Sequence, residues 1–431
     1  VIEMMYIENL KGGLEDQEIR ACVDQTLEKY AELRKILVVH PDYTRDDFTD
    51  KIVPWLLKKV KRRGAKECHM LNASGTHRPM TRKEFLKKLG LHDLPDGVYL
   101  HNHEFDDPAQ LVEVGQLPAS FVSEQTQGEL TVPFPVTVNR LLVEDFDLIV
   151  AINGTVPHEA TGFSGGFKIL VPGVAGPQVV GLFHWAAVLI GIPTLIGTVS
   201  NPARNVINRA CELILQASKA RFLSFNMVYS EEEDGITPRG LYVGEGYEGF
   251  ISAYEKACQA SSKLHVIYLD EPLDVAVQVI GPHYDEVWTA GKGSYKLQRP
   301  GVMKPGGEII ILAPHIECFH SNEKMDAAIR QIGYHGKDYV KEFLKRHPDF
   351  DRNVAAHVIN VRGPASYDPE TGKEEFAFKV TLATGIPKDV CESVNLGYRD
   401  PSNMRRGDFS GPGMLWIEHG GKYLYEIKRE V

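Results

Sequence analysis

A chain of 431 residues exceeds the roughly 250–300 that one hydrophobic core accommodates, so two domains are expected. Its hydrophobic share of 43% and charged share of 25% are those of a folded globular protein. The formal charge of -10 gives no general attraction for nucleic acid or an anionic membrane, so neither is expected as a partner, although a local basic pocket can still hold an anion. Cys22, Cys68, Cys211, Cys258, Cys318 and Cys391 are scattered, without a close chelating pair or the density of a disulfide scaffold. A reduced, cytoplasmic protein is the simple expectation. Residues Val1 to Gly12 include Glu3, Glu8 and Lys11 and lack an apolar signal core.

Along the chain, Asp16 to Leu33 has helical periodicity, with Ile19, Cys22, Val23 and Leu27 roughly on one face. Ile36 to Val39 reads as a buried strand, ending in the polar loop His40 to Arg45. Phe48 to Arg63 returns to a helical pattern, and Glu67 to Leu71 resembles the next strand. A second polar loop, Ser74 to Met80, leads to Thr81 and Glu84, spaced as a capping box for a helix reaching Leu89. Phe146 to Ile152 supplies a further strand before a glycine-rich loop. The apolar stretch Ala186 to Gly197 is too short for a membrane span, contains Pro193, and reads as a buried strand with its approaches. Asn201 caps a predicted helix with Pro202 at its first position, running to about Lys219. Further on, 264–269, 275–280 and 308–313 read as strands, and 322–332 and 338–345 as helices. The alternation implies a mostly parallel α/β sheet, whose C-terminal strand ends gather the ligand loops. The domains are placed at 1–260 and 261–431.

The most informative segment runs from His158 through Glu159, Ala160, Thr161, Gly162, Phe163, Ser164, Gly165, Gly166 and Phe167 to Lys168. Glycines allow close backbone approach, and successive amides with Ser164 can cradle an anion. The spacing is not that of a P-loop, and a tight turn is the plainer alternative. In Asp42, Thr44 and Arg45, the aspartate can accept ribose hydroxyls and the arginine fork can bind an oxyanion, unless Asp46 or Asp47 pairs with Arg45. His77 offers an imidazole suited to proton transfer near neutral pH, or merely caps a turn. His184 sits among apolar residues, as a core histidine or a metal ligand. His101 and His103, two apart, would share a strand face and reach one metal, or serve local packing.

Together these motifs resemble the nickel-pincer lactate racemase family and its wider group of hydroxyacid racemases and epimerases. Asp42-Tyr43-Thr44-Arg45 is similar to the family's Asp-x-Thr-Arg signature, Ser74 to Pro79 to its Gly-x-His-Arg loop, and His158 to Lys168 to its glycine loop. His184 stands sixteen residues beyond Lys168, where that family has its histidine, and the likeness runs from about residue 30 through the second domain, including Gly306 to Ile310. The resemblance implies a two-domain lactate-racemase-like α/β fold with an active-site cleft between the domains. It implies nickel and a pyridinium-3,5-bisthiocarboxylic acid mononucleotide attached at Lys168, made by cofactor biosynthesis enzymes, with His184 completing the nickel coordination. His77 and His158 would be the acid/base pair, and Asp42, Thr44, Ser164, Gly165 and Gly166 would position the cofactor. Arg45 would orient the substrate. Racemisation or epimerisation of a 2-hydroxyacid or sugar acid, by reversible hydride transfer, is the implied activity. A non-catalytic nucleotide- or sugar-phosphate-binding protein is the alternative of another class.

Tyr295, Lys296 and Arg299 resemble the family's Tyr-Gln-x-x-Lys substrate segment, with Lys296 in the glutamine-like place and Arg299 in the lysine-like place. A solvated basic turn is the plainer reading of that stretch. Tyr43 replaces the more usual histidine. These departures favour a longer hydroxyacid or a sugar acid over lactate.

Overall fold

The computed structural model describes residues 4–75, 77–232 and 235–428. It divides into two compact units, Val1–Phe183 with Val199–Leu264, and His184–Thr198 with His265–Val431. Sequence alone places a single boundary at 260/261. Residues 184–198 instead go with the second unit because Val188 joins its main core, and Ile192 and Ile196 pack on Leu424.

In the first unit, seven described strands form one sheet in the order Met4–Glu8, Gly235–Glu245, Arg221–Glu232, Leu148–Gly154, Lys35–Pro41, Glu67–Ala73, Val98–Asn102. The last five run parallel to one another, and Gly235–Glu245 lies antiparallel between its two neighbours. Ile36 to His40 are buried, as expected of a central parallel strand covered on both faces. One face meets the helices Asp16–Leu27, Thr49–Arg62 and Arg82–Leu89: Ile19, Val23, Ile52, Leu56 and Phe85 close over Ile36, Val38, Met70, Val150 and Ile152. Opposite, the one-turn helix Gly166–Ile169 packs on two central strands and on the helix Pro202–Ala217.

Several local expectations meet their residues. Thr81 and Glu84 form the capping box, and Asn201 accepts the Arg204 amide at 2.8 Å. The first helix stops at Leu27 rather than Leu33; Tyr30 and Leu33 continue the apolar pattern as buried loop residues. Ala186 to Gly197 is not a strand. It completes the helix Pro177–Ile190 and forms a short one, Ile192–Leu195. A helix apolar all round carries no amphipathic period, so its pattern cannot be told from that of a buried strand. Among the described residues, no helix is long and apolar enough to cross a membrane.

The second unit has a parallel sheet ordered Gly397–Tyr398, Lys379–Thr384, Met303–Ala313, Leu273–Val279, Met414–Ile417. Helices Glu323–Ile332, Lys337–Arg346 and Arg352–Arg362 bury Ile329, Val340, Phe343 and Val358 in the same core as Ile309, Ile311 and Leu382.

Candidate active site

Three neighbouring parallel strands of the first unit end at one edge, and each delivers part of the site. Lys35–Pro41 leads into Asp42, Thr44 and Arg45; Glu67–Ala73 into Ser74 and His77; Leu148–Gly154 into His158. This is where open α/β sheets collect ligands.

Asp42 is buried and commits both oxygens. Oδ1 accepts the Thr44 amide at 2.9 Å and its hydroxyl at 2.5 Å, while Oδ2 lies 2.5 Å from His77 Nδ1. Burial pushes this carboxyl up, but the His77 hydrogen bond and charge, followed by the Thr44 bonds, prevail and bring its pKa down to about 2. An ionised Asp42 can only accept, so Nδ1 carries a proton, and in the neutral imidazole Nε2 keeps its lone pair. The His77 side chain is 48% exposed, against 3% for Asp42. A buried anion therefore orients an accessible base.

The His77 loop is braced from several sides. Ser74 Oγ donates to the His103 carbonyl at 2.8 Å, and the Gly75 amide donates to the Gly173 carbonyl at 3.0 Å. Arg78 forks onto Glu84 at 2.6 and 3.0 Å, with its guanidinium 4.3 Å from the Tyr43 ring centroid. Arg45 does not pair with its acidic neighbours: Asp47 takes Lys88 at 2.6 Å, and no described residue bonds the Arg45 guanidinium.

His158 lies in a short antiparallel pairing of Pro157–His158 with Gly162–Phe163. Its Nδ1 accepts the Ala160 amide at 3.1 Å, with a Glu159 oxygen at 3.7 Å. Ser164 braces the loop from within, donating to the Gly154 carbonyl at 2.7 Å and accepting the Val156 amide at 3.0 Å. Gly165 has φ +95°, and a Cβ there would stand 2.3 Å from Thr155 Oγ1, so only glycine fits. The Gly166 amide donates to Asn226 Oδ1 at 2.8 Å.

Lys168 follows on the Gly166–Ile169 turn, half-buried and without an ion pair among the described residues. Burial, then the Arg45 charge, lowers its pKa to about 7; Arg204 adds to the lowering, and Glu159 and Asp42 oppose it. About half of the amine is then neutral at pH 7, a state available as a nucleophile.

His184 is partly buried on Pro177–Ile190, in the part of that helix assigned to the second unit. In the same unit, Tyr295 ends the short helix Lys292–Tyr295, and Lys296 is 7% exposed. Arg299 donates to the Pro193 carbonyl at 2.8 Å and to Glu426 at 3.0 Å. The basic stretch is therefore no solvated turn. His101 and His103 do not converge: His101 Nε2 meets His69 Nδ1 at 2.9 Å, while buried His103 donates from Nε2 to the Ala175 carbonyl at 3.0 Å and receives Asn139 at Nδ1. No group of three or more His, Cys, Asp or Glu side chains among the described residues is placed to hold a metal ion by itself.

Sequence reasoning missed Arg204 and Asn226, both buried and both holding the glycine turn. Arg204 carries one local signal: a cation in the first turn of a helix opposes the helix dipole.

A family model described as the lactate racemase N-terminal domain matches residues 16–191. A crystal structure of a Thermotoga maritima protein superposes with TM-score 0.89 at 61% identity, covering 98% of this chain and 100% of that one. The lactate racemase apoprotein of Thermoanaerobacterium thermosaccharolyticum shares the fold, with TM-score 0.69 at 20% identity, covering 99% and 95%. Lactate racemase of Lactiplantibacillus plantarum is 25% identical over 69% of this chain; the match spans 66% of that relative, just under two thirds of its length.

Proposed function

Since the chain belongs to the lactate racemase family, we propose that it is an enzyme inverting the hydroxyl-bearing carbon of a 2-hydroxyacid or sugar acid. One observation carries this reading above all: buried Asp42 fixes one nitrogen of accessible His77, and the charge of the same aspartate acts on Lys168, whose pKa is held near 7.

The residues fit a nickel-bearing pyridinium mononucleotide joined to Lys168. The amine is partly neutral and has no counter-ion among the described residues, as attachment requires. Beside the turn, the Thr155 hydroxyl and the Asn153 amide are buried without a partner, ready for polar groups of a ligand. Lys168 would tether the nucleotide, and Gly165 and Gly166 would let it approach the backbone. Asp42, Thr44 and Ser164 would fix the loops around it. His184 would supply the one protein donor to nickel, which suits a cofactor bringing its own sulfur and carbon donors. When bound, the group would supply a reversible acceptor for hydride from the substrate carbon.

The chain's own residues handle the proton and the orientation. A C–H next to a hydroxyl is a poor acid, so the first proton to leave is that of the hydroxyl. His77 Nε2 accepts it, and the Asp42 carboxylate stabilises the imidazolium. His158, on the loop after Leu148–Gly154, serves as the second acid/base; with the Ala160 amide aimed at Nδ1, its neutral form carries the proton on Nε2. Arg45 holds the carboxylate end, its fork being uncommitted among the described residues. In the second unit, Tyr295 and Lys296 are assigned to further polar groups of the substrate. Arg299, held by Glu426 and Pro193, is assigned to supporting that segment.

The test is coexpression with cofactor-making enzymes, followed by intact-protein mass spectrometry, nickel analysis and a panel of hydroxyacids and sugar acids deuterated at the reacting carbon. A mass increment at Lys168, stoichiometric nickel and inversion with retained deuterium are expected. An unmodified Lys168 under conditions that load a known lactate racemase overturns the reading.

A further inference from the structure

The glycine turn rests on a buried cation whose partners are all uncharged. Arg204 is 2% exposed; its Nη2 donates to the Phe163 carbonyl at 2.5 Å and its Nη1 to the Gly165 carbonyl at 3.1 Å. Its guanidinium lies 4.0 Å from the Tyr254 ring centroid, and Nε is buried without a partner. No carboxylate pairs with it among the described residues. The Gly165 carbonyl also receives the backbone amide of Lys168, at 3.3 Å. One oxygen thus joins the arginine to the residue that bears the amine.

We propose that Arg204 is the positioning residue of the lysine turn, clamping its carbonyls from beneath and placing a positive charge in the buried ground that Lys168 enters.

Three features of the chain support this role. A buried, unneutralised guanidinium is costly, and a hydrophobic residue would pack more cheaply against Tyr254. Its place in the first turn of Pro202–Ala217 adds an unfavourable dipole interaction. Local violations of this kind concentrate where function demands them. The charges that act on Lys168 are Arg45, Glu159, Arg204 and Asp42, two of each sign. Of the two cations, Arg204 is buried and Arg45 exposed, so solvent screens Arg204 less, although Arg45 acts more strongly on Lys168.

This inference rests on the proposed attachment at Lys168, and the measurement is chosen to separate the two. Full-length wild type, Arg204→Met and Arg204→Lys, made without the cofactor enzymes, are labelled with trace acetic anhydride across pH 6–10. The amine forms an amide and acetate leaves; Lys168 acetylation is quantified by peptide mass spectrometry, with circular dichroism verifying the fold. For Arg204→Met, labelling of Lys168 at pH 7 is expected to fall by about threefold or more, because a like charge has gone. Arg204→Lys keeps the charge but loses the fork. It is expected to keep the wild-type labelling midpoint, yet to carry a smaller modified fraction when coexpressed with the cofactor enzymes. Folded variants that label and load like wild type overturn the proposal. Should Arg204→Met fail to fold, unchanged loading of Arg204→Lys overturns it alone. An unmodified wild type on coexpression would refute the attachment itself, while the labelling comparison still decides the role of Arg204.

Discussion

Replacing Lys168 by methionine is expected to stabilise the cofactor-free protein. The folded amine has a pKa of about 7, against 10.5 for an unperturbed lysine. Between those values the unfolded chain binds more protons than the folded one, so wild-type stability rises with pH across that window. The penalty is full-sized below pH 7, at about 5 kcal/mol, and vanishes above 10.5. At pH 7 it is about 4 kcal/mol, and at pH 9 about 2 kcal/mol. Methionine keeps most of the buried stem and carries no charge, so the variant escapes the penalty. Urea unfolding of both proteins at several pH values between 6 and 10 reads the difference directly. A variant no more stable than wild type at pH 7, or a gain that does not shrink as pH rises, refutes the reasoning.

Asp42→Asn is expected to lower inversion activity by about 10²–10⁴-fold, because the amide presents a donor to Nδ1 and moves the His77 proton to Nε2. Long-range proton–nitrogen spectra of His77 report that tautomer change. The same aspartate gives an acid-side signature: with its folded pKa lowered from 3.8 to about 2, its contribution of about 2 kcal/mol is present above pH 4 and lost as pH falls through 2. Acid titration of wild type and Asp42→Asn should show that loss in wild type only. His184→Ala is expected to retain the Lys168 mass increment but less than one tenth of the nickel, measured by metal analysis after dialysis (an order-of-magnitude expectation). Arg299→Met removes the donor that Glu426 and the Pro193 carbonyl share and should cost about 1–3 kcal/mol, seen as a lower unfolding midpoint.

What the sequence discloses is mostly local. The capping box at Thr81 and the cap at Asn201 depend on residues three apart, and both form. The strands Lys35–Pro41 and Glu67–Ala73 are short apolar runs between helical patterns, and they too stand where periodicity puts them. The pairing of Arg221–Glu232 with Gly235–Glu245 left no clear trace, since Ser224 and Asn226 interrupt the apolar run of the first strand. Asn226 is polar because it meets the Gly166 amide, a partner sixty residues away that no spacing rule reaches. Asp42 and His77 both stand out in the sequence as candidate site residues, but their pairing does not, because two adjacent parallel strands bring them together.

A backbone bond from the Gly75 amide to the Gly173 carbonyl makes two parts of the first unit interdependent. Gly173 has no room to vary: a Cβ there would stand 2.1 Å from the Ile169 carbonyl, at the end of the lysine turn. Any side chain at that position would displace the tether segment and, through the shared bond, drag the loop bearing the base. Drift at this one site would therefore damage attachment and proton handling at a stroke, so neither half can be retuned there without the other.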